Sequence, residues 1–194
     1  MRTGVFGGTF DPVHTGHLIL AETVRDQAGL DRVIFLPAER PPHKRRRVLT
    51  PANHRLTMLN LALQDTPELT VSDFEIRRGG VCYTIDTLDA LQRESGFFGQ
   101  TLHPIIGADS LAELHTWKSP DRLLKKYDIL CVRRPNVPLD AVDSDMLSSV
   151  RILDAPLISV SSTEIRARVK EGRSIRFWVP ERVAAYIRDR GLYR

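Results

Sequence analysis

Apolar residues along this 194-residue chain recur with two different periods, and each change of period marks an element. Val5-Phe6 is a short apolar run that stops at Gly7, which predicts a buried strand. Leu18, Ala21, Val24 and Ala28 then follow at three- and four-residue spacing, the stripe of a helix that ends near Gly29. Arg32-Val33-Ile34-Phe35-Leu36-Pro37 is continuously apolar in its middle and closed by proline, a second buried strand. A strand, a helix and a strand with a short return predict a parallel pair joined by a right-handed crossover.

Residues 38–50 are polar, basic and proline-rich, and read as a loop, either plain surface or substrate-facing. A helix is predicted from Pro51, with Leu56, Leu59 and Leu63 on its apolar stripe. Residues 69–76 mix apolar and polar positions and alternate from Asp73 onward, which predicts a half-exposed strand towards a sheet edge. After the turn at Arg78-Gly79-Gly80, residues 83–93 carry Ile85, Leu88 and Leu91 at helical spacing, and residues 102–106 predict a strand running into Gly107. Short helices are expected over 111–114 and 120–126, strands over 127–132 and 150–153, and closing helices over 161–171 and 180–190. No repeat, linker or shift of composition interrupts the series. The expectation is one doubly wound, Rossmann-like α/β domain spanning 1–194, with a parallel sheet and the C-terminal helices packed on it. Ligands of such sheets sit beyond the carboxyl ends of the strands. Three polar groups are predicted there: Gly7-Gly8, Gly107-Ala108-Asp109 and Arg133-Arg134.

Composition narrows the class. The chain is 42% hydrophobic and 27% charged, as ordinary globular proteins are, and no apolar stretch is long enough to span a membrane. The start runs directly into a strand and leaves no room for a signal peptide, so a cytoplasmic protein is expected. Cys82 and Cys131 lie far apart, without metal-ligand spacing, and read as free buried thiols. A net charge of +4 favours a basic substrate pocket and solvated cations over nucleic-acid binding. The run Lys44-Arg45-Arg46-Arg47 has no interleaved aromatics, which suits a local anion site or a solvated loop better than a base-stacking surface.

The chemistry concentrates in Gly7-Gly8-Thr9-Phe10-Asp11-Pro12-Val13-His14-Thr15-Gly16-His17. His14 and His17, three apart at a helix start, put two imidazoles on one face. Free N–H groups and the helix dipole attract anions there, the rings can donate to phosphate oxygens, and Gly7, Gly8 and Gly16 allow close approach. The rival readings are a metal pair, for which no third ligand is evident, and plain capping. A second cluster is Ser161-Ser162-Thr163-Glu164-Ile165-Arg166. Ser161 with Glu164 fits a capping box, yet three hydroxyls and an arginine exceed what a cap requires and suit a second oxyanion site.

These two stretches resemble the signature and the second phosphate motif of the HxGH nucleotidyltransferases. The resemblance extends nearly end to end and is closest to the bacterial nicotinate mononucleotide adenylyltransferase family. It includes Pro41-Pro42-His43-Lys44, Tyr83-Thr84-Ile85-Asp86-Thr87-Leu88, Ile106-Gly107-Ala108-Asp109-Ser110 and Trp117-Lys118.

The resemblance implies a direct in-line attack of the nicotinate mononucleotide phosphate on the α-phosphorus of ATP, without a covalent enzyme intermediate. It assigns the triphosphate to His14, His17, Ser161, Ser162, Thr163 and Arg166, with His17 the main donor to the α-phosphate. Gly7, Gly8, Thr9 and Phe10 would line the nucleotide cleft, and Gly107 and Asp109 would meet the ribose. Lys44, helped by Arg45 or Arg46, would neutralise phosphate between the substrates. Tyr83, Thr84 and Trp117 would form the nicotinate pocket, with backbone near Trp117 and Lys118 at the carboxylate. Mg2+ would ride on the ATP phosphates, with no protein metal site. The expected partners are ATP and nicotinate mononucleotide, with no nucleic acid or membrane, acting on a monomer or homodimer. Nicotinamide mononucleotide or phosphopantetheine adenylyl transfer, and a non-catalytic nucleotide-binding module, are the alternatives.

Overall fold

A computed structural model describes residues 1–39, 49–133, 142–156 and 158–194. Among these, six parallel strands form one sheet: β1 (Arg2–Gly8), β2 (Arg32–Pro37), β3 (Leu69–Val71), β4 (Thr101–Gly107), β5 (Ile129–Val132) and β6 (Val150–Leu153). Their order is β3-β2-β1-β4-β5-β6. The direction of winding reverses between β1 and β4, so a cleft opens beyond their carboxyl ends.

The central strands are apolar on both faces because helices cover both. Val33 and Phe35 of β2 face one core with Ile105, Leu130 and Val132, while Ile34 and Leu36 face the other with Val5, Ile106 and Cys131. The first core is closed by α1 (Thr15–Ala28), α2 (Ala52–Leu63), α8 (Ser162–Lys170) and α9 (Glu181–Asp189). The second is closed by α4 (Thr84–Leu91), α5 (Ala108–Ala112), α6 (Pro120–Lys126) and residues of α7 (Ser144–Ser148). Gly29, at φ 61, ends α1 in the left-handed conformation and returns its N–H to Arg25 and Asp26.

Several expectations need correction. Residues 69–76 are not one strand: the edge strand β3 stops at Val71 and Phe74–Arg78 form a short helix, α3. The Ser72 hydroxyl accepts the Phe74 N–H at 3.3 Å, and the Arg77 N–H bonds Asp73, so local hydrogen bonds outcompete the ladder. The stripe of α2 keeps Leu59 and Leu63 as expected but is widened on one side by Arg55 and Met58. Arg55, Met58, Leu59 and Leu63 are its buried positions, and Leu56 is only half-buried. The helix expected over 111–114 is α5, which starts directly after Gly107, followed by a 3-10 turn at Leu114–Thr116. Tyr127 ends α6 instead of opening β5, since its hydroxyl is drawn inward to Asp89 at 2.9 Å. The short helix α7 was not expected; Asp143 nucleates it by accepting the N–H groups of Asp145 and Met146.

Candidate active site

The loop between β1 and α1 passes over the cleft and is fixed from inside. Phe10 adopts φ 48, a conformation unusual for a side chain of its size, and its ring lies across Gly8. A methyl group on Gly8 would come within 2.7 Å of that ring, so glycine is required there. The Phe10 ring also meets His17 edge-on, with centroids 5.0 Å apart.

His14 caps α1, and its ring stacks on that of His17 at 3.6 Å between centroids. The backbone N–H of His14 donates to Nδ1 of His17 at 3.2 Å. That bond makes Nδ1 an acceptor, so the neutral ring carries its proton on Nε2, where it is a donor. His17 lines the cavity, whereas His14, 7% exposed, supports it from behind.

The second cluster meets the first at the start of α8. Ser161 spends an acceptor position on the Glu164 N–H at 3.1 Å, the cap that its spacing predicts. Ser162 donates to the Pro12 carbonyl at 2.9 Å and lines the cavity. Arg166 donates to the Asp11 carbonyl at 2.6 Å and to the Thr163 hydroxyl at 3.2 Å. Of the five donors of a guanidinium, this arrangement leaves others for an anion.

The cavity itself measures about 440 Å³ and lies at the β1–β4 reversal. Gly7, Gly8, Thr9 and Phe10 form one wall, and Gly107 and Asp109 stand across from them at the end of β4. Its other end is lined by Tyr83, Thr84, Trp117 and Lys118. Tyr83 caps α4 and Thr84 is its first residue, so a helix start and a pocket wall coincide. Lys118 reaches across to Asp86 at 2.6 Å and lies 5.2 Å from the centre of the Tyr83 ring, bracing this end. Glu75, Thr87 and Cys82 also line the cavity. Burial pushes the Glu75 carboxyl up, against the opposing pull of the Thr87 hydroxyl and Arg78. Burial likewise raises the Cys82 thiol, with Glu75 adding to it.

The model of the cytidylyltransferase-like family matches residues 5–168. The chain belongs to this family. A Thermus thermophilus protein named "Probable nicotinate-nucleotide adenylyltransferase" is 44% identical over 194 residues that cover all of both chains. A Thermomicrobium roseum protein of the same name is 44% identical over 198 residues, covering all of this chain and 92% of the relative. The fold is similar to that of Plasmodium falciparum nicotinic acid mononucleotide adenylyltransferase complexed with NaAD, with a TM-score of 0.80 at 17% identity over 99% of this chain and 97% of the other. The family match ends within α8, so the His14–His17 and Ser161–Arg166 clusters both fall inside it, whereas the C-terminal Tyr193 does not.

The structure thus gathers His17, Ser162, Gly7, Gly8, Thr9, Phe10, Gly107, Asp109, Tyr83, Thr84, Trp117 and Lys118 around one cavity. His14 and Arg166 are not on the cavity lining: His14 meets it through the His17 ring, and Arg166 holds the Asp11 carbonyl and the Thr163 hydroxyl beside it. Ser161 and Thr163 are exposed at the start of α8. Lys44, Arg45, Arg46 and Arg134 lie outside the described residues. Two further residues lie outside the sequence motifs: Glu75 on the cavity lining, and Arg55, which holds the carbonyls of the lining residues Thr9 and Ala38. Glu75 sits in a segment whose alternation mimics a strand. Arg55 occupies a buried stripe position where an arginine signals a specific polar task, and that signal was readable.

Proposed function

We propose that this chain joins the phosphate of nicotinate mononucleotide to the α-phosphorus of ATP, forming nicotinate adenine dinucleotide and pyrophosphate. One arrangement supports this reading above all: His17, a ring N–H donor at the start of α1, shares a cavity with Trp117 and Tyr83 at its far end. An anion-binding helix start and an aromatic pocket are what a triphosphate and a pyridine nucleotide require. Relatives 44% identical over the full chain and named for this reaction add to it.

In the proposed step a phosphate oxygen of the mononucleotide attacks the α-phosphorus in line. The bond from that phosphorus to the β-bridging oxygen breaks, and pyrophosphate leaves with the electron pair. No protein nucleophile takes part, so the protein contributes positioning and charge stabilisation. His17 donates from Nε2 to the α-phosphate as charge builds on it, and losing such a donor costs roughly 3–4 kcal/mol. Arg166 with the hydroxyls of Ser161, Ser162 and Thr163 takes the β- and γ-phosphates, His14 holds the His17 ring, and Asp109 meets the ribose. Trp117 stacks on the pyridine ring, and Thr84 meets its carboxylate. Mg2+ would ride on the ATP phosphates, where it would offset their negative charge.

The proposal takes residues 1–194 as one domain of a cytoplasmic enzyme acting on small molecules, as a monomer or homodimer and without nucleic acid. Among the described residues no helix is long and apolar enough to cross a membrane. The test is pyrophosphate release from ATP and magnesium with either mononucleotide. Faster release with the nicotinate form is expected. No release with either overturns the reaction, and equal rates overturn the preference for the acid.

A further inference from the structure

Arg55 is 1% exposed, on the face of α2 where the pattern of the helix calls for an apolar side chain. A guanidinium buried that deeply needs its donors satisfied. The acceptors are backbone carbonyls from three separate segments. Nη1 donates to Thr9 at 2.8 Å and Ala38 at 2.7 Å, Nη2 to Glu39 at 3.3 Å, and Nε to Thr50 at 2.9 Å. Thr9 belongs to the glycine loop, Ala38 and Glu39 follow β2, and Thr50 precedes α2. Thr9 and Ala38 line the cavity.

Asp11 supplies the neighbouring negative charge. Its carboxylate accepts the Thr50 N–H at 3.3 Å and the Tyr193 hydroxyl at 2.8 Å. Burial lowers the Arg55 guanidinium, with Asp11 the strongest opposing charge, and burial beside Asp11 pushes the Tyr193 hydroxyl well above its usual range. An apolar side chain in its place would leave these four carbonyls without their donor. Only a forked donor can hold carbonyls of three segments at once. Because the peptide is planar, a Thr9 carbonyl held towards Arg55 also fixes the direction of the Phe10 N–H.

We propose that Arg55 is a positioning residue for adenylyl transfer: it fixes the Thr9–Phe10 peptide of the glycine loop against the segments flanking it, while Asp11 and Tyr193 close the same tether from the C-terminus. The inference rests on the reaction proposed above. A loop displaced by about an ångström costs on the order of 100-fold in rate without removing any substrate contact.

Arg55→Lys keeps the charge but cannot span the carbonyls. Its kcat per folded molecule falls about 100-fold while KM for ATP stays close to that of the wild type. Tyr193→Phe, which removes one hydrogen bond and no charge, lowers kcat by about fivefold and guards against failure of the first variant to fold. Hydrogen exchange of residues 7–11 reads the tether without substrate, and it speeds up in Arg55→Lys while β4 keeps its protection. Wild-type kcat in both variants overturns the proposal. Unchanged exchange at residues 7–11 overturns the tether itself, whatever the wild type catalyses. A wild type that releases no pyrophosphate overturns the reaction, and the role of Arg55 in it, while the exchange result separates that failure from a failure of the tether.

Discussion

The two ends of the cavity are built to different standards. At the end that the proposed reaction gives to phosphate, residues 9–15 are cross-linked to distant parts of the chain. Arg55 holds Thr9, Arg166 and Tyr193 hold Asp11, Ser162 holds Pro12, and the Trp178 carbonyl takes both the N–H and the hydroxyl of Thr15. At the aromatic end, Trp117 and Lys118 follow a single 3-10 turn, and the brace from Lys118 to Asp86 is a solvent-facing ion pair. Exposed pairs of that kind contribute about 0–1 kcal/mol. The difference matches what each end has to do. Phosphoryl transfer is lost when reacting groups shift by an ångström, whereas recognition of a flat ring asks for a stacking face and a few polar contacts that can close on it.

Three substitutions test the rigid end, from the largest effect downward. His17→Ala removes a ring donor that lines the cavity, so turnover falls by about 10²–10³-fold. It also removes the ring's contacts with Phe10 and His14 and the acceptor of the His14 N–H, so the melting temperature falls modestly and turnover is compared per folded molecule. Wild-type-like turnover would show that the α-phosphate lies elsewhere. Gly8→Ala drives a methyl into the Phe10 ring, so it lowers stability by about 1–3 kcal/mol and turnover with it. Gly7→Ala is the contrast, because a methyl there meets no protein atom within 4 Å and projects beside the cavity. It melts like the wild type while binding ATP more weakly. If both glycine variants lose stability alike, the loop is not held by Phe10 in the way described.

The aromatic end answers to a different measurement. Trp117→Ala raises KM for the mononucleotide by an amount equivalent to about 1–3 kcal/mol of lost stacking, with KM for ATP little affected. An equal rise for both substrates would place the indole outside the pyridine pocket and remove the distinction between the ends.

How well each region could be read from the sequence follows the same division. The sheet was legible because β2 and β5 are buried on both faces and read as unbroken apolar runs, and the shorter run Val5-Phe6 marks β1. His17 and Ser162 were legible because spacing at a helix start fixes direction. Arg55 was less legible because Leu56, Leu59 and Leu63 form an acceptable stripe without it, although an arginine beside that stripe is itself a signal, and packing buries Arg55 and Met58 beside Leu59 and Leu63. Residues 73–76 misled for a related reason. Their alternation suits a strand, yet Ser72 and Asp73 satisfy the backbone locally and swing Glu75 into the cavity wall.

That displaced carboxyl gives the smallest effect and the most specific test of the aromatic end. Glu75 is 7% exposed, and its Oε1 accepts the Thr87 hydroxyl at 2.8 Å. Burial raises the pKa of the carboxyl in the folded state above that of the unfolded chain, so the folded protein holds this proton more tightly. The resulting stability is fully present below the unfolded pKa and is lost as pH rises through the raised folded value. Arg78 and the Thr87 hydroxyl reduce the penalty but do not reverse it. Glu75→Gln keeps an oxygen for Thr87 and has nothing to ionise. Its melting temperature therefore matches that of the wild type in acid and exceeds it increasingly towards neutral pH. A gap that is constant with pH would mean that the carboxyl titrates alike in the folded and unfolded chain, and a gap that reverses as pH rises would mean that Glu75 stays ionised and presents a negative charge to any substrate carrying a carboxylate.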